Sequence, residues 1–183
     1  MLRKLSLAVL VTPALALPVF AQDWVVDHAA SRVGFETEAF GQTVEGRFPD
    51  FSAEITLDPS DLSAARINAI VDTATGSTGG GDIEQNMLSS DGLAPETYPQ
   101  ARFVSEDIRA TDAGYEAHGE LTIKDVTRPF ILPFTLEIEN GRAIAEAEAE
   151  LARTDYNVAS SSWGDVAATL TLHLHIEADA AAD

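Results

Sequence analysis

The chain has 183 residues, no cysteine and a formal net charge of −19, from 30 acidic against 11 basic residues with four neutral histidines. Such a field repels phosphate backbones and anionic headgroups, which argues against nucleic acid as a partner and against more than transient contact with a membrane. Without cysteine there is no disulfide framework and no lipid-anchor site, so stability must come from one hydrophobic core of a size this length can bury.

Arg3 and Lys4 precede an apolar stretch over 5–17, with the small residues Val19 and Ala21 on either side of Phe20. This layout predicts a cleavable secretory signal over 1–21 and a mature domain over 22–183. The stretch is shorter than the roughly 20 residues a membrane-spanning helix needs, and nothing later approaches that length. Cleavage would remove two basic residues and no acidic one, taking the charge to −21.

Strand signals follow at 24–26, 32–39, 43–48, 51–57 and 65–72, punctuated by Pro49-Asp50 and Asp58-Pro59-Ser60. After Gly79-Gly80-Gly81 the pattern changes. Asp82 is placed to cap a short helix with Gln85 three residues on, Ile83, Met87 and Leu88 share one side, and Gly92 and Pro95 end it. A short amphipathic helix among strands plugs or lids one end of a sheet structure.

Strong alternation resumes after a strand at 101–108. Tyr115, Ala117, Gly119, Leu121 and Ile123 oppose Glu116, His118, Glu120 and Lys124; Phe130, Leu132, Phe134, Leu136 and Ile138 form the next apolar set, with Pro133 marking an edge or bulge. Asn140-Gly141 is a hairpin turn. Ala145, Ala147, Ala149 and Leu151 then oppose Glu146, Glu148 and Glu150, and Val166, Ala168, Leu170, Leu172, Leu174 and Ile176 oppose Thr169, Thr171, His173, His175 and Glu177. The acidic tail after Glu177 is predicted to fray. Short connections without intervening helices predict an all-β fold, an antiparallel barrel of about eight strands with one short helix capping an end.

An eight-stranded barrel can be filled by its own side chains or hold one small ligand. Ala117, Gly119, Ala143, Ala145, Ala147, Ala149 and Ala168 all point inward by pattern and are small, which predicts an internal cavity only partly filled by phenylalanines. The predicted lining is Phe35, Ile83, Met87, Leu88, Leu93, Phe103, Leu121, Phe130, Phe134, Ala147, Leu170 and Leu172. Such a wall suits a hydrocarbon chain, since each buried methylene contributes about 0.8 kcal/mol.

Catalytic chemistry has few centres here. His173 and His175 share a strand face, with His118 outward on another strand, so a metal site or extracytoplasmic enzyme on that face is the alternative to a lipid-binding module. No G-x-S-x-G elbow occurs, Ser160-Ser161-Ser162 reads as a turn, Arg153 with Asp155 reads as a structural ion pair, and Trp163 beside Gly164 is placed to close a barrel end. No catalytic residue, metal or cofactor is predicted.

Several spacings resemble the YceI-like periplasmic family, also described as polyisoprenoid-binding. Asp27, Ser31, Val33 and Phe35 resemble its D-x-x-x-S-x-V-x-F strand, and Gly46-Arg47-Phe48 its G-x-F turn. Asp72, Thr75 and Thr78 resemble D-x-x-S/T-x-x-T; Tyr98, Pro99, Phe103 and Ser105 resemble Y-P-x-x-x-F-x-S. Gly119 to Ile123 with Val126 to Pro129 resembles G-x-L-T-I-x-x-V-T-R/K-P, and Arg153, Asp155, Tyr156 and Val158 resemble R-x-D-F/Y-x-V. The resemblance implies a lipocalin-like barrel, a periplasmic location, a long isoprenoid-type or quinone-like ligand, and a membrane protein as a possible partner for lipid transfer. Asn86 and Met87 stand where the family usually has histidine and leucine, and Ala30 replaces a frequent histidine, so the ligand's head group is expected to differ. Neither the lipid nor the oligomeric state follows from the sequence.

Overall fold

The alternating segments become ten antiparallel strands in a computed structural model that describes residues 22–159 and 163–182. They are β1 (Asp23–Val26), β2 (Arg32–Ala39), β3 (Gln42–Arg47), β4 (Phe51–Thr56), β5 (Arg66–Asp72), β6 (Gln100–Thr111), β7 (Gly114–Ile123), β8 (Val126–Glu139), β9 (Arg142–Ala152) and β10 (Thr169–Ala180). The helix α1 spans Gly81–Leu88. The signal segment and Ser160-Ser161-Ser162 lie outside the described residues.

Eight strands close on themselves. From β4 to β10 each strand pairs with the next, and β1 joins the ends by pairing with β4 on one side and the last three residues of β10 on the other. Closure removes the exposed edges that an open sheet would present. Farther along β10, β2 replaces β1 as its neighbour, and β3 extends outward from β2. The change from β1 to β2 occurs at a bend where the Asp27 carboxylate accepts the Ala29 and Ala30 N–H groups, and Ser31 Oγ accepts the Glu177 N–H.

The long hairpins hold the register that places one set of side chains inside. Leu172 faces Ala149, Leu174 faces Ala147 and Ile176 faces Ala145 across β9 and β10, with His173, His175 and the glutamates on the opposite face. Pro133 lies in the half of β8 that pairs with β7 alone, because pairing with β9 begins at Phe134. A proline there costs no ladder bond on the β9 side. Among the described residues no helix is long and apolar enough to cross a membrane.

Four expectations need correction. Gly80, not Asp82, is the N-cap of α1 and no side chain caps the helix: Asp82 lies in its first turn, and the Glu84 carboxylate folds back to accept the Thr78 and Gly80 N–H groups and the Ser77 hydroxyl, which holds the chain that enters the helix. The tail does not fray at Glu177, since Ala178, Asp179 and Ala180 pair with β1 and Ala178 and Asp179 also with β9. Ala168 lies before β10 begins and is exposed, while Val166 and Ala167 just before it are held by β2, through the bridge to Ala39 and the Glu38 carbonyl, and by Arg153. Arg153 and Asp155 form no ion pair: Asp155 is exposed and the Arg153 guanidinium is turned inward to backbone carbonyls.

An internal cavity and its mouth

Alternation puts five residues of β10, Leu170, Leu172, Leu174, Ile176 and Ala178, along one wall of an internal cavity of about 640 Å³. Eight residue steps at 3.3 Å make that wall about 26 Å long. The volume falls within the 300–1,000 Å³ typical of small-molecule sites, but the shape is that of a channel. Facing β10 across the interior are Phe103 on β6, Leu121 on β7 and Phe130, Leu132 and Phe134 on β8. Phe103 meets Phe130 edge-on, with ring centroids 6.1 Å apart.

Small residues decide where the space is. Ala143, Ala145 and Ala147 line the cavity. Ala117 and Ala149 are buried and do not. Gly119 is not a space-leaving position: a Cβ there would lie 2.2 Å from the Val104 carbonyl oxygen, so the glycine admits the β6 backbone beside the irregularity at Ser105 and Asp107.

One end is sealed. The buried Trp24 donates its indole N–H to the Leu57 carbonyl at 2.9 Å, and both residues line the cavity with Ala178. The other end is closed in part by α1 and the loop after it, through Ile83, Met87 and Leu93, and by Val158 and Trp163. There the wall reaches solvent at Phe40, Asn86 and Gly164, each exposed and each lining the cavity. These residues mark the mouth. Gly79, Gly80 and the first helix residue Gly81 have φ of 90°, 98° and 81°, a backbone that only glycine adopts freely, with open space around each.

Of the twelve residues the sequence singled out, eleven line this cavity: Phe35, Ile83, Met87, Leu93, Phe103, Leu121, Phe130, Phe134, Ala147, Leu170 and Leu172. Leu88 packs against the core without reaching the cavity wall. Residues the sequence reading missed include Val33, Thr37 and Val44 on the β2–β3 hairpin and Arg153. The period-two run Val33, Phe35, Thr37, Ala39 was the available signal for the first strand.

Among the described residues the cavity wall carries no aspartate, glutamate, lysine or histidine, and the two arginines among them are engaged elsewhere. Arg102 points outward, donating from Nε to Asn68. Arg153 is only 8% exposed and donates to four carbonyls, those of Val158, Ala159, Val166 and Ala167, at 2.8–3.0 Å. Trp163 lies over its guanidinium, 5.8 Å from ring centroid to charge. Burial pushes its pKa down and the nearby Asp91 charge opposes that, but guanidinium stays protonated in any case. Arg153 thus ties the 3-10 turn at 153–156 to the approach of β10 and closes the cavity's upper wall.

The outer face of β9 and β10 holds the histidines. His175 lies between Glu146, 2.5 Å from Nδ1, and Glu177, 3.0 Å from Nε2, and these hydrogen bonds, Glu146's first, raise its pKa despite partial desolvation. Glu177 is shared with Arg142, which also binds Asp27 and Asp179 and so ties the β1–β2 bend to the barrel wall. His173 lies 3.8 Å from Glu148. Among the described residues no group of three histidine, aspartate or glutamate side chains is arranged to hold a metal ion.

An antiparallel barrel enclosing a long apolar cavity, sealed at one end and open at the other, defines the class: a closed β-barrel with an internal apolar cavity. The chain belongs to the YceI-like family, whose domain model matches residues 24–178. It is 28% identical over 148 residues to the YceI protein of Escherichia coli O17:K52:H18, covering 75% of this chain and 77% of that one. Among solved structures, Burkholderia cenocepacia BcnA superposes with a TM-score of 0.78 at 27% identity, over 83% of this chain and 98% of BcnA. A polyisoprenoid binding domain from Saccharophagus degradans shares the fold at 14% identity with a TM-score of 0.66, over 88% of this chain and all of that one.

Proposed function

We propose that this protein binds and carries one long apolar chain, of polyisoprenoid or quinone-like type, inside the barrel, and that it does so in the periplasm after removal of residues 1–21. The observation that carries this reading is the cavity itself, about 640 Å³ of channel-shaped space walled by aliphatic and aromatic side chains. Space of that kind stays dry, and filling it with methylenes gains about 0.8 kcal/mol for each. The polyisoprenoid-binding description of the Saccharophagus domain supports an isoprenoid-type occupant.

The ligand's polar end is uncharged in this reading. An ion carried into a wall without a free counter-charge costs several kcal/mol, and Arg153 has its donors committed to carbonyls. Asn86, exposed at the mouth, offers an amide that can donate to or accept from a carbonyl or hydroxyl. The protein acts as a carrier without chemistry of its own, touches the membrane transiently, and passes its ligand on.

The reading is tested by extracting protein purified from its native compartment into organic solvent and analysing the extract by mass spectrometry. One long-chain lipid per barrel is expected. Repeatedly empty extracts from a protein that also takes up no long-chain probe would overturn it.

A further inference from the structure

We propose that the tip of the β2–β3 hairpin, led by Phe40, is the surface through which the barrel touches an electrically neutral lipid bilayer to exchange its ligand. The proposal rests on the lipid-carrier reading of the cavity and adds where and on what the carrier docks.

The turn itself gives the first argument. Ala39 pairs with Gln42 and Glu139 pairs with Arg142, so Phe40-Gly41 and Asn140-Gly141 are both two-residue hairpin loops. Their backbones match, with φ of 54° and 73° in the first and 53° and 80° in the second. Two successive positive φ values favour Asn-Gly, the pair found at 140–141, whereas a bulky residue in that conformation is an outlier. Local backbone preference therefore does not account for phenylalanine at position 40. Strain of this kind marks positions held for another purpose.

Position gives the second argument. Phe40 is 59% exposed, yet its side chain belongs to the cavity wall beside Gly164. The tip is pinned in place: the Phe40 N–H donates to the Asp165 carbonyl at 2.9 Å, the Ala167 N–H donates to the Glu38 carbonyl, and Ala39 bridges to Val166. One aromatic face thus runs from solvent to the interior, and a chain sliding along it leaves a bilayer for the cavity without crossing water.

The occupant follows from charge and area. A chain of net charge −19, with Glu38 beside the tip, is repelled by an anionic surface. A stable protein partner requires roughly 800 Å² from each side, far more than one exposed ring between Glu38 and Thr43 supplies. A single aromatic side chain entering a neutral lipid interface, and leaving it again, fits both facts.

The absence of cysteine makes the test direct. Phe40→Cys carrying an environment-sensitive dye is compared with Val25→Cys carrying the same dye, Val25 being 62% exposed on β1 beside the sealed end. On adding phosphatidylcholine vesicles the dye at position 40 should brighten and shift to the blue while the dye at position 25 stays unchanged; equal responses would overturn the proposal. Transfer of a fluorescent long-chain alcohol from the same vesicles should quicken with vesicle concentration, and Phe40→Asn, which gives the tip the residue of the other hairpin, should slow it about tenfold, the worth of one withdrawn aromatic ring. The slowing should exceed any change in uptake of the same alcohol from cyclodextrin, and Phe40→Leu should retain part of the vesicle rate. A Phe40→Asn vesicle rate equal to wild type also refutes the docking role. Failure of the wild type to take the alcohol from cyclodextrin refutes the carrier reading instead, and the dye comparison still judges the tip.

Discussion

Replacing Ala147 by phenylalanine puts a ring into the middle of the barrel, where the sign of the effect depends on whether the interior is open. Ala147 lies on β9 opposite Phe134 and Leu174, and all three line the cavity. In a barrel packed by its own side chains the added ring would force its neighbours off their rotamers and cost about 1–3 kcal/mol. Into an open cavity the ring buries itself without displacing anything, and stripped protein should gain about 2 kcal/mol. The same ring takes the place of roughly five ligand methylenes, which removes about 4 kcal/mol of binding, near a thousandfold in Kd. Urea unfolding of delipidated wild type and Ala147→Phe gives the first quantity, and titration with a fluorescent long-chain alcohol gives the second. A destabilised variant that binds the alcohol as wild type does would refute the open-cavity reasoning on both counts.

Arg153→Lys should cost about 3 kcal/mol in urea unfolding, because an ammonium group cannot reach the four carbonyls that the guanidinium serves and leaves buried acceptors unpaired; a loss under about 1 kcal/mol would show that water satisfies them instead. His175 has a pKa raised above its ordinary 6.5 by Glu146 and then Glu177, so its contribution to stability is fully present below pH 6.5 and is lost as pH climbs through the folded value. Wild type should therefore lose stability relative to His175→Gln as pH rises above 6.5, and parallel pH profiles would remove His175 from the account. Glu84→Gln weakens the acceptor that gathers Ser77, Thr78 and Gly80, so amide exchange at 78–80 should quicken while β9 and β10 stay protected; unchanged exchange there would mean the glycine segment is held by something else. If α1 acts as a lid over the mouth, exchange across 79–88 should slow when lipid is loaded, and equal protection in both states would refute that role.

The amino-acid sequence by itself determined the two-faced strands and, from their small inward residues, an interior that its own side chains do not fill. The reason is local: period-two alternation assigns each side chain of β7 to β10 to one face whatever the strand's neighbours are, and six of the eleven chosen residues that reach the cavity, Leu121, Phe130, Phe134, Ala147, Leu170 and Leu172, lie on those strands. Where a residue's role depends on what comes from elsewhere in the chain, sequence was silent or misleading. Gly119 and Ala145 look alike in an alternating strand, but one lies under the β6 backbone and the other borders empty space. Arg153 reads as the partner of Asp155 two residues away, but the turn after it brings the carbonyls of 158–159 within its reach, the approach to β10 brings those of 166–167, and Asp155 is left exposed. Asp82 has the right spacing for a cap, but the helix already begins at Gly81 with Gly80 as its N-cap, and the glycine backbone there turns the Thr78 and Gly80 N–H groups toward the Glu84 carboxylate. The helix and Trp163 beside Gly164 could be assigned to a barrel end from the sequence, but that Phe40, Asn86 and Gly164 share one opening was decided by tertiary structure: they lie on a hairpin, a helix and a loop distant in sequence, and only the ring of pairings from β1 through β10 brings them together.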